Sequence, residues 1–343
     1  MPASHNCHID LVAVIHSEFP PQIAAMPKAE LHLHLEGSLR PAIVAALAAR
    51  HGVTLEEEEV HSRYAYSDFI AFIEAFKWVT SFLREPPDFA IAVSDLGEQL
   101  VGQNVVYAEV TLSVGVMLLR KQNPQANFEA VLAAAEPFEH RGLRLNWIFD
   151  SVRQYGADLA SQVLDWAKRC NSPRIVAFGI GGDELSVSTK EFQHVYRQAT
   201  QSGLHRLIHA GEIGGPERIR EAVELLGVER IGHGIAAIHD PSLMDLLAAR
   251  GIVLEICPAS NLRTGALARQ LQIGTPSISH HPLPQLLRHG IPVVLSTDDP
   301  TMFHTSLGEE YQRAHDMGLR EAELTQLVSN SFDFAFSRPT RKS

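Results

Sequence analysis

Eight short β-rich runs, most of them followed by a helical pattern, constrain the fold of this chain more than any other feature. They lie around Glu30 to His34, Val105 to Ser113, Arg144 to Ser151, Ile175 to Gly181, Arg206 to Ala210, Arg230 to Gly234, Ile252 to Ile256 and Pro292 to Thr297. Segments such as PERIREAVELLG, DPSLMDLLAARG and HPLPQLLRHG carry Leu, Ile and Val at helical spacing and close on Gly, a common C-terminal stop. Strand and helix alternating eight times predict an α/β fold, a (β/α)8 barrel ahead of an open doubly wound sheet. No second core, low-complexity linker or short-period repeat interrupts the alternation. The stretch from Leu39 to Asn104 is too long for one crossover helix, so several helices (about residues 40–104) are expected above the barrel mouth. The barrel domain is expected over residues 27–336, after a loosely ordered lead-in at 1–26 and before a tail at 337–343.

The 343 residues carry 29 basic and 40 acidic side chains, a net charge of -11. That balance argues against binding a phosphate backbone or an anionic membrane surface. The expected partner is a small-molecule substrate, with no nucleic-acid polymer and no membrane. Three scattered cysteines, Cys7, Cys170 and Cys257, make neither a disulfide framework nor a thiolate metal site. The N-terminal stretch has no basic n-region, and its apolar run is broken by His16 and Glu18, so it reads as neither a signal peptide nor a membrane span. A cytoplasmic location is expected.

Within AELHLHLEGSLRP, side chains at i and i+2 of a strand share a face, so His32 and His34 present two imidazoles together. An H-x-H pair alone is weak evidence among 18 histidines. Further polar clusters stand at the ends of other expected strands: HAGEIGG at the fifth, RIGHG at the sixth and VLSTDDP at the eighth. A barrel gathers all C-terminal strand ends at one mouth. His32, His34, His209 and Asp298 would then meet as three nitrogens and one oxygen, a set that suits zinc before nickel, cobalt or iron. The few lysines include none at a strand end to bridge two metals, so one ion is expected. Glu212, three residues past His209, is placed to work as general acid or base, while His233 and Asp299 stay near the metal to orient water and substrate.

The motifs PKAELHLHLEGSLRP, VVYAEV, VAFGIGGDE, HAGE, ERIGHGI, CPASN, TGA, HPL and STDDPTMFHTSLGEEY resemble the adenosine deaminase family of the amidohydrolase superfamily, from about Pro27 to Phe336. The resemblance implies hydrolysis of a cyclic amidine C–N bond, with one Zn2+ on His32, His34, His209 and Asp298 activating water for attack at purine C6. It further implies that Glu212 protonates N1, His233 orients and deprotonates the water, Asp299 contacts N7 and the Gly182 backbone meets N3. Glu36 stands where many members carry a ribose-contacting Asp. DFIAFIEAF has the stripe of an amphipathic helix, which the family uses as a pocket wall, so Phe69, Ile70 and Ile73 are expected against the ribose or its replacement.

The resemblance implies adenosine as substrate, giving inosine and ammonia. EVTLSVGVMLLRKQ and WIFDSVRQYG resemble instead a branch deaminating 6-aminodeoxyfutalosine, a menaquinone precursor with a carboxyphenyl ketone at its 5′ side. Arg120, Lys121 and Arg153 are candidate partners for that carboxylate. Adenine is a third candidate substrate, although RIGHG, CPASN and TGA sit closer to the nucleoside enzymes.

Overall fold

The computed structural model describes residues 19–66 and 68–337; Cys7, with residues 1–18 of the expected lead-in, and residues 338–343 of the expected tail lie outside the described residues. Eight parallel strands follow one another in chain order: β1 (Lys28–His34), β2 (Val105–Leu112), β3 (Arg144–Val152), β4 (Ile175–Gly181), β5 (His205–Ala210), β6 (Arg230–His233), β7 (Val253–Ile256) and β8 (Val293–Leu295). Every run read from the sequence is a strand. Strands covered by helices on the outside and by one another within read as near-continuous apolar runs, and β1, β4, β6, β7 and β8 are buried along their whole length. β8 stops at Leu295, short of the expected Thr297. Asp298 continues the contact as a single parallel bridge to Leu33; its N–H donates to His32 O at 3.0 Å and its carbonyl accepts from His34 N at 2.8 Å. That bridge brings the two ends of the sheet together, so the eight strands form a (β/α)8 barrel.

Four helices fill the expected insertion: Pro41–Arg50, Glu57–Arg63, Phe69–Thr80 and Pro86–Gly102. Asp88 holds two of them together. Its carboxylate accepts from Arg84 N and Glu85 N at the start of the last helix, and from Arg50 Nε and His51 Nε2 at the end of the first. Asp68 caps the Phe69–Thr80 helix by accepting from Ala71 N at 2.9 Å. Phe72 anchors that helix, its ring 4.9 Å from Phe303 in the segment after β8. Truncating such a buried ring typically costs about 3–5 kcal/mol. The wall above the mouth is therefore packed onto the barrel. Glu57, Glu58 and Glu59 face solvent, as a charge run usually does.

At the opposite end, the helix Glu321–Asp333 packs beside β1 and β8 and leads into residues 334–337 under the barrel floor. Phe334, Ala335 and Phe336 cover interior residues of β1, β2, β3, β4, β5, β7 and β8. Among the described residues no helix is long and apolar enough to cross a membrane.

Candidate active site

The ends of β1, β5 and β6 and the segment after β8 meet at the mouth. The ligand-type atoms of His32, His209, His233 and Asp298 all lie within 4.8 Å of one another, and all four residues are buried. His34 stands just outside that compact set. Its Nε2 is 3.2 Å from Asp298 Oδ1, the oxygen that also faces His32 Nε2 at 3.3 Å. Two ring nitrogens, His32 Nε2 and His209 Nδ1, are buried with no hydrogen-bond partner. Buried polar atoms are seldom left so, and imidazole nitrogens converging on one carboxylate are the donor set of a cation site.

His34 suits ligand duty better than His233 despite the tighter packing of the latter. His233 Nδ1 faces Asn261 Nδ2 at 3.1 Å, and Asn261 Oδ1 is engaged by His281 Nε2 at 3.2 Å. In this amide orientation Nδ1 accepts, which leaves the proton on His233 Nε2, the nitrogen facing the cluster. Burial lowers the His233 pKa to about 4 and keeps the ring neutral. His32 is set the opposite way: its Nδ1 is 2.7 Å from Glu255 Oε2, so Nδ1 keeps its proton and Nε2 is the nitrogen that would meet a cation. Backbone strain accompanies the geometry. His233 (φ 63°) and Asp298 (φ 65°) both adopt the left-handed region, unusual for residues with a side chain.

Glu212 and Asp299 complete the polar floor. Burial, with the Asp298 charge beside it and then Glu184, pushes the Glu212 carboxyl well above the usual carboxylate range. Burial and Asp298 do the same to Asp299. Both are thus proton carriers. The loop bearing Glu212 is held from two sides. Glu184 of the GGDE motif takes the N–H groups of Gly211, Glu212, Ile213 and Gly214 on its carboxylate, at 2.5, 3.2, 3.0 and 2.9 Å. Gln270 Nε2 donates to the carbonyls of Glu212 and Gly214 at 2.8 and 2.7 Å, which gives a role to part of the long segment after β7. Gly37 leaves room for Asp299: a Cβ there would fall 1.7 Å from Asp299 Oδ1. Gly37→Ala is expected to displace Asp299 and destabilise the fold by about 1–3 kcal/mol, seen as a lower Tm together with a lower kcat/KM.

A cavity of about 1120 Å³, counting its open mouth, rises from this floor. His34, His209, Glu212, His233, Asp298, Asp299 and Gly182 line it, as expected from the sequence, and so do Phe69 and Ile73. Ile70, Arg153, Glu36 and Lys121, all expected at the substrate, do not line it. Ile70 is 76% exposed because it follows Phe69 by one residue, which turns it to the outer face of the helix. Arg153 is buried with its guanidinium on the carbonyls of Val187 and His209, a structural cation bracing β5. Glu36 is buried sideways in a short 3-10 turn, where its Oε1 accepts from Ser113 N at 2.9 Å. Of the two other basic candidates, Arg120 lines the cavity and Lys121 is exposed elsewhere. Lys77 and Asp150 were missed. Lys77 follows Ile73 by four residues and Phe69 by eight, so the helical stripe already contained the signal. Asp150, at the end of β3, reads in the sequence as an ordinary strand residue.

The comparisons with known proteins agree with this geometry. Residues 27–343 match the protein family described as Adenosine deaminase. The chain is 36% identical to an aminodeoxyfutalosine deaminase of Streptomyces coelicolor over 92% of this chain and 81% of that one. Its fold is similar to that of an adenine deaminase from Arthrobacter aurescens, with a TM-score of 0.84, 29% identity, and 92% and 95% of the two chains covered. An amidohydrolase from Burkholderia ambifaria solved with bound Zn gives a TM-score of 0.81 at 25% identity, covering 92% and 87%. With an eight-stranded barrel, a buried histidine and aspartate cluster at its mouth and a family match over nearly its whole length, the chain belongs to the adenosine deaminase family, hydrolases of cyclic amidine C–N bonds.

Proposed function

We propose that this chain removes the 6-amino group of an adenine nucleoside extended at its 5′ side, with 6-aminodeoxyfutalosine as the substrate to test first. The carrying observation is the shape of the cavity. Besides the polar floor its lining includes an apolar wall of Phe69, Ile73, Phe76, Val116 and Leu119 and two cations, Lys77 and Arg120. An apolar wall and cations beyond the polar floor suit more than a bare base. The carboxyphenyl group would lie on the apolar wall with its carboxylate toward Lys77. The likeness to the Streptomyces enzyme supports the same reading. Arg120 has a second duty there: its guanidinium donates to Lys77 O, Thr80 O and Thr80 Oγ1, capping the C-terminus of the Phe69–Thr80 helix.

His32, His34, His209 and Asp298 would hold one zinc ion, the metal carried by the Burkholderia relative. When bound, zinc supplies a water of lowered pKa as nucleophile. Glu212, held protonated by its burial, would give its proton to ring nitrogen N1. His233 would direct its Nε2 proton at the water and hold that water toward C6. Asp299, also held protonated, can donate to the acceptor N7, and the Gly182 backbone, at φ 96°, faces the cavity to meet N3. The apolar wall keeps bulk water from the reacting carbon. Free adenine would use the same floor and leave the wall empty.

The test is kcat/KM for 6-aminodeoxyfutalosine, adenosine and adenine side by side on zinc-loaded protein, followed by loss of the adenine absorbance. The extended nucleoside is expected to lead. Lys77→Ala should raise its KM by roughly tenfold, the ~1.4 kcal/mol of a charged hydrogen bond, and leave adenosine unchanged. Equal turnover of all three would refute the 5′ assignment, and no turnover of any would refute the deaminase reading itself.

A further inference from the structure

The underside of the barrel carries a buried ionic chain that reaches the metal cluster from below. Phe336 lies flat between two groups: the Arg230 guanidinium is 3.6 Å from its ring centroid, and the His205 ring stacks on it at 4.3 Å and 8°. Arg230 is 1% exposed, and its Nη1 donates to Phe334 O at 3.1 Å. It contacts two buried carboxylates, Glu109 Oε2 through Nη2 at 2.6 Å and Glu255 Oε1 through Nε at 2.6 Å. Glu109 Oε1 in turn takes the N–H of Phe336 and the hydroxyl of Tyr107, each at 2.6 Å, and Tyr107 takes Ser337 N at 3.3 Å. The other oxygen of Glu255 holds His32 Nδ1 at 2.7 Å. Five groups in unbroken contact thus connect the segment after the last helix to a residue of the active site.

We propose that this segment governs metal retention: Phe336 seals water from Arg230, Arg230 fixes Glu255, and Glu255 holds His32 in the tautomer and orientation that a metal requires. Glu255 and Arg230 are positioning residues, and the inference rests on the reading of His32 as a ligand. The physical case is one of charge and solvent. One guanidinium stands between two carboxylates in a dry interior, where the pairing holds only while the charges stay in contact and water is kept out. Opening the floor lets water compete for Arg230, which frees Glu255 to rotate and His32 to turn out of the orientation that Glu255 fixes. Residues in contact with a ligating histidine commonly change metal affinity by 10–100-fold.

Zinc affinity measured by competition with a chromogenic chelator tests the proposal, with the Tm of each metal-free protein recorded alongside. Glu255→Gln is expected to weaken zinc by roughly 10–100-fold. Phe336→Ala is expected to weaken it by roughly threefold to tenfold, the scale on which residues along a contact chain act at a distance. Phe336→Leu, which restores the apolar seal, should recover most of that loss. Unchanged zinc affinity in Phe336→Ala, even with a lower Tm, would reduce the segment to a structural plug and overturn the proposal. His32→Ala provides the separate control: if it binds zinc as tightly as the parent, the ligand assignment fails and not merely the chain below it.

Discussion

Glu212→Gln is expected to lower kcat by about 10³-fold, within the 10²–10⁴ typical of a lost general acid, while the protein keeps its zinc and its fold. Glutamine preserves the volume and one oxygen for the contact with Thr264 Oγ1 at 3.4 Å, so the loop has no reason to move. What it lacks is a transferable proton. The side chain sits 3.6 Å from His233 Nε2 through Oε2 and lines the cavity. Its raised pKa makes the protonated form the working one, so wild-type activity should decline as pH rises through that pKa and the proton is lost. Activity within tenfold of wild type, at full zinc content, would remove Glu212 from the reaction.

The precision of that residue comes from outside the cluster. Glu184 gathers four consecutive N–H groups of the Gly211–Gly214 backbone, and a Cβ at Gly214 would meet its carboxylate at 2.6 Å. A loop that would otherwise be soft is thereby nailed to the end of β4. The same logic runs through His233 and Asp298, whose left-handed backbones aim side chains that an extended strand would carry elsewhere. Barrel strands supply the direction, and the irregular residues at their ends supply the angle.

The barrel was legible because period and punctuation agreed along the chain: apolar runs too short for helices, then helical stripes ended by glycine. The cluster was legible because strand ends of a barrel converge, so His32, His209 and Asp298 could be placed together from 266 residues apart. Side-chain direction was not legible in irregular backbone. Glu36 follows a strand but enters a 3-10 turn that swings it away, and Arg153 turns inward onto carbonyls, so neither faces the cavity. Ile70 shows the limit of reading a helix as a wall without assigning its inner face. The ionic floor was hidden for another reason: Glu109, Arg230, Glu255 and Phe336 carry no motif together, and only closure of the sheet makes them neighbours.

Zinc binding to the metal-free protein is expected to release more than one proton at pH 7, and its affinity to fall by at least about 10²-fold between pH 8 and pH 6, tenfold per proton per unit. Burial alone would lower the His32 pKa, but its contacts with Asp298 and Glu255 outweigh burial and push it up to about 10. Burial likewise lowers His34, and the Asp299 and Asp298 carboxylates raise it to about 9. Both rings therefore carry protons at neutral pH in the absence of a metal. His209, held well below its ordinary value by burial and by the neighbouring imidazoles, is already neutral and gives up nothing. The Asp299 charge that helps to raise His34 is itself diminished, since burial and Asp298 push the Asp299 carboxyl up, so the second proton is released only in part. Since these pKa values lie above the working range, protons occupy the sites more fully as pH falls, and the metal must displace them. Calorimetric titration in buffers of different ionisation enthalpy reads the proton count from the slope of the observed heat. A count near zero would mean that the protonated rings are not the ones that take the metal, and the His32 and His34 assignments would fall with it.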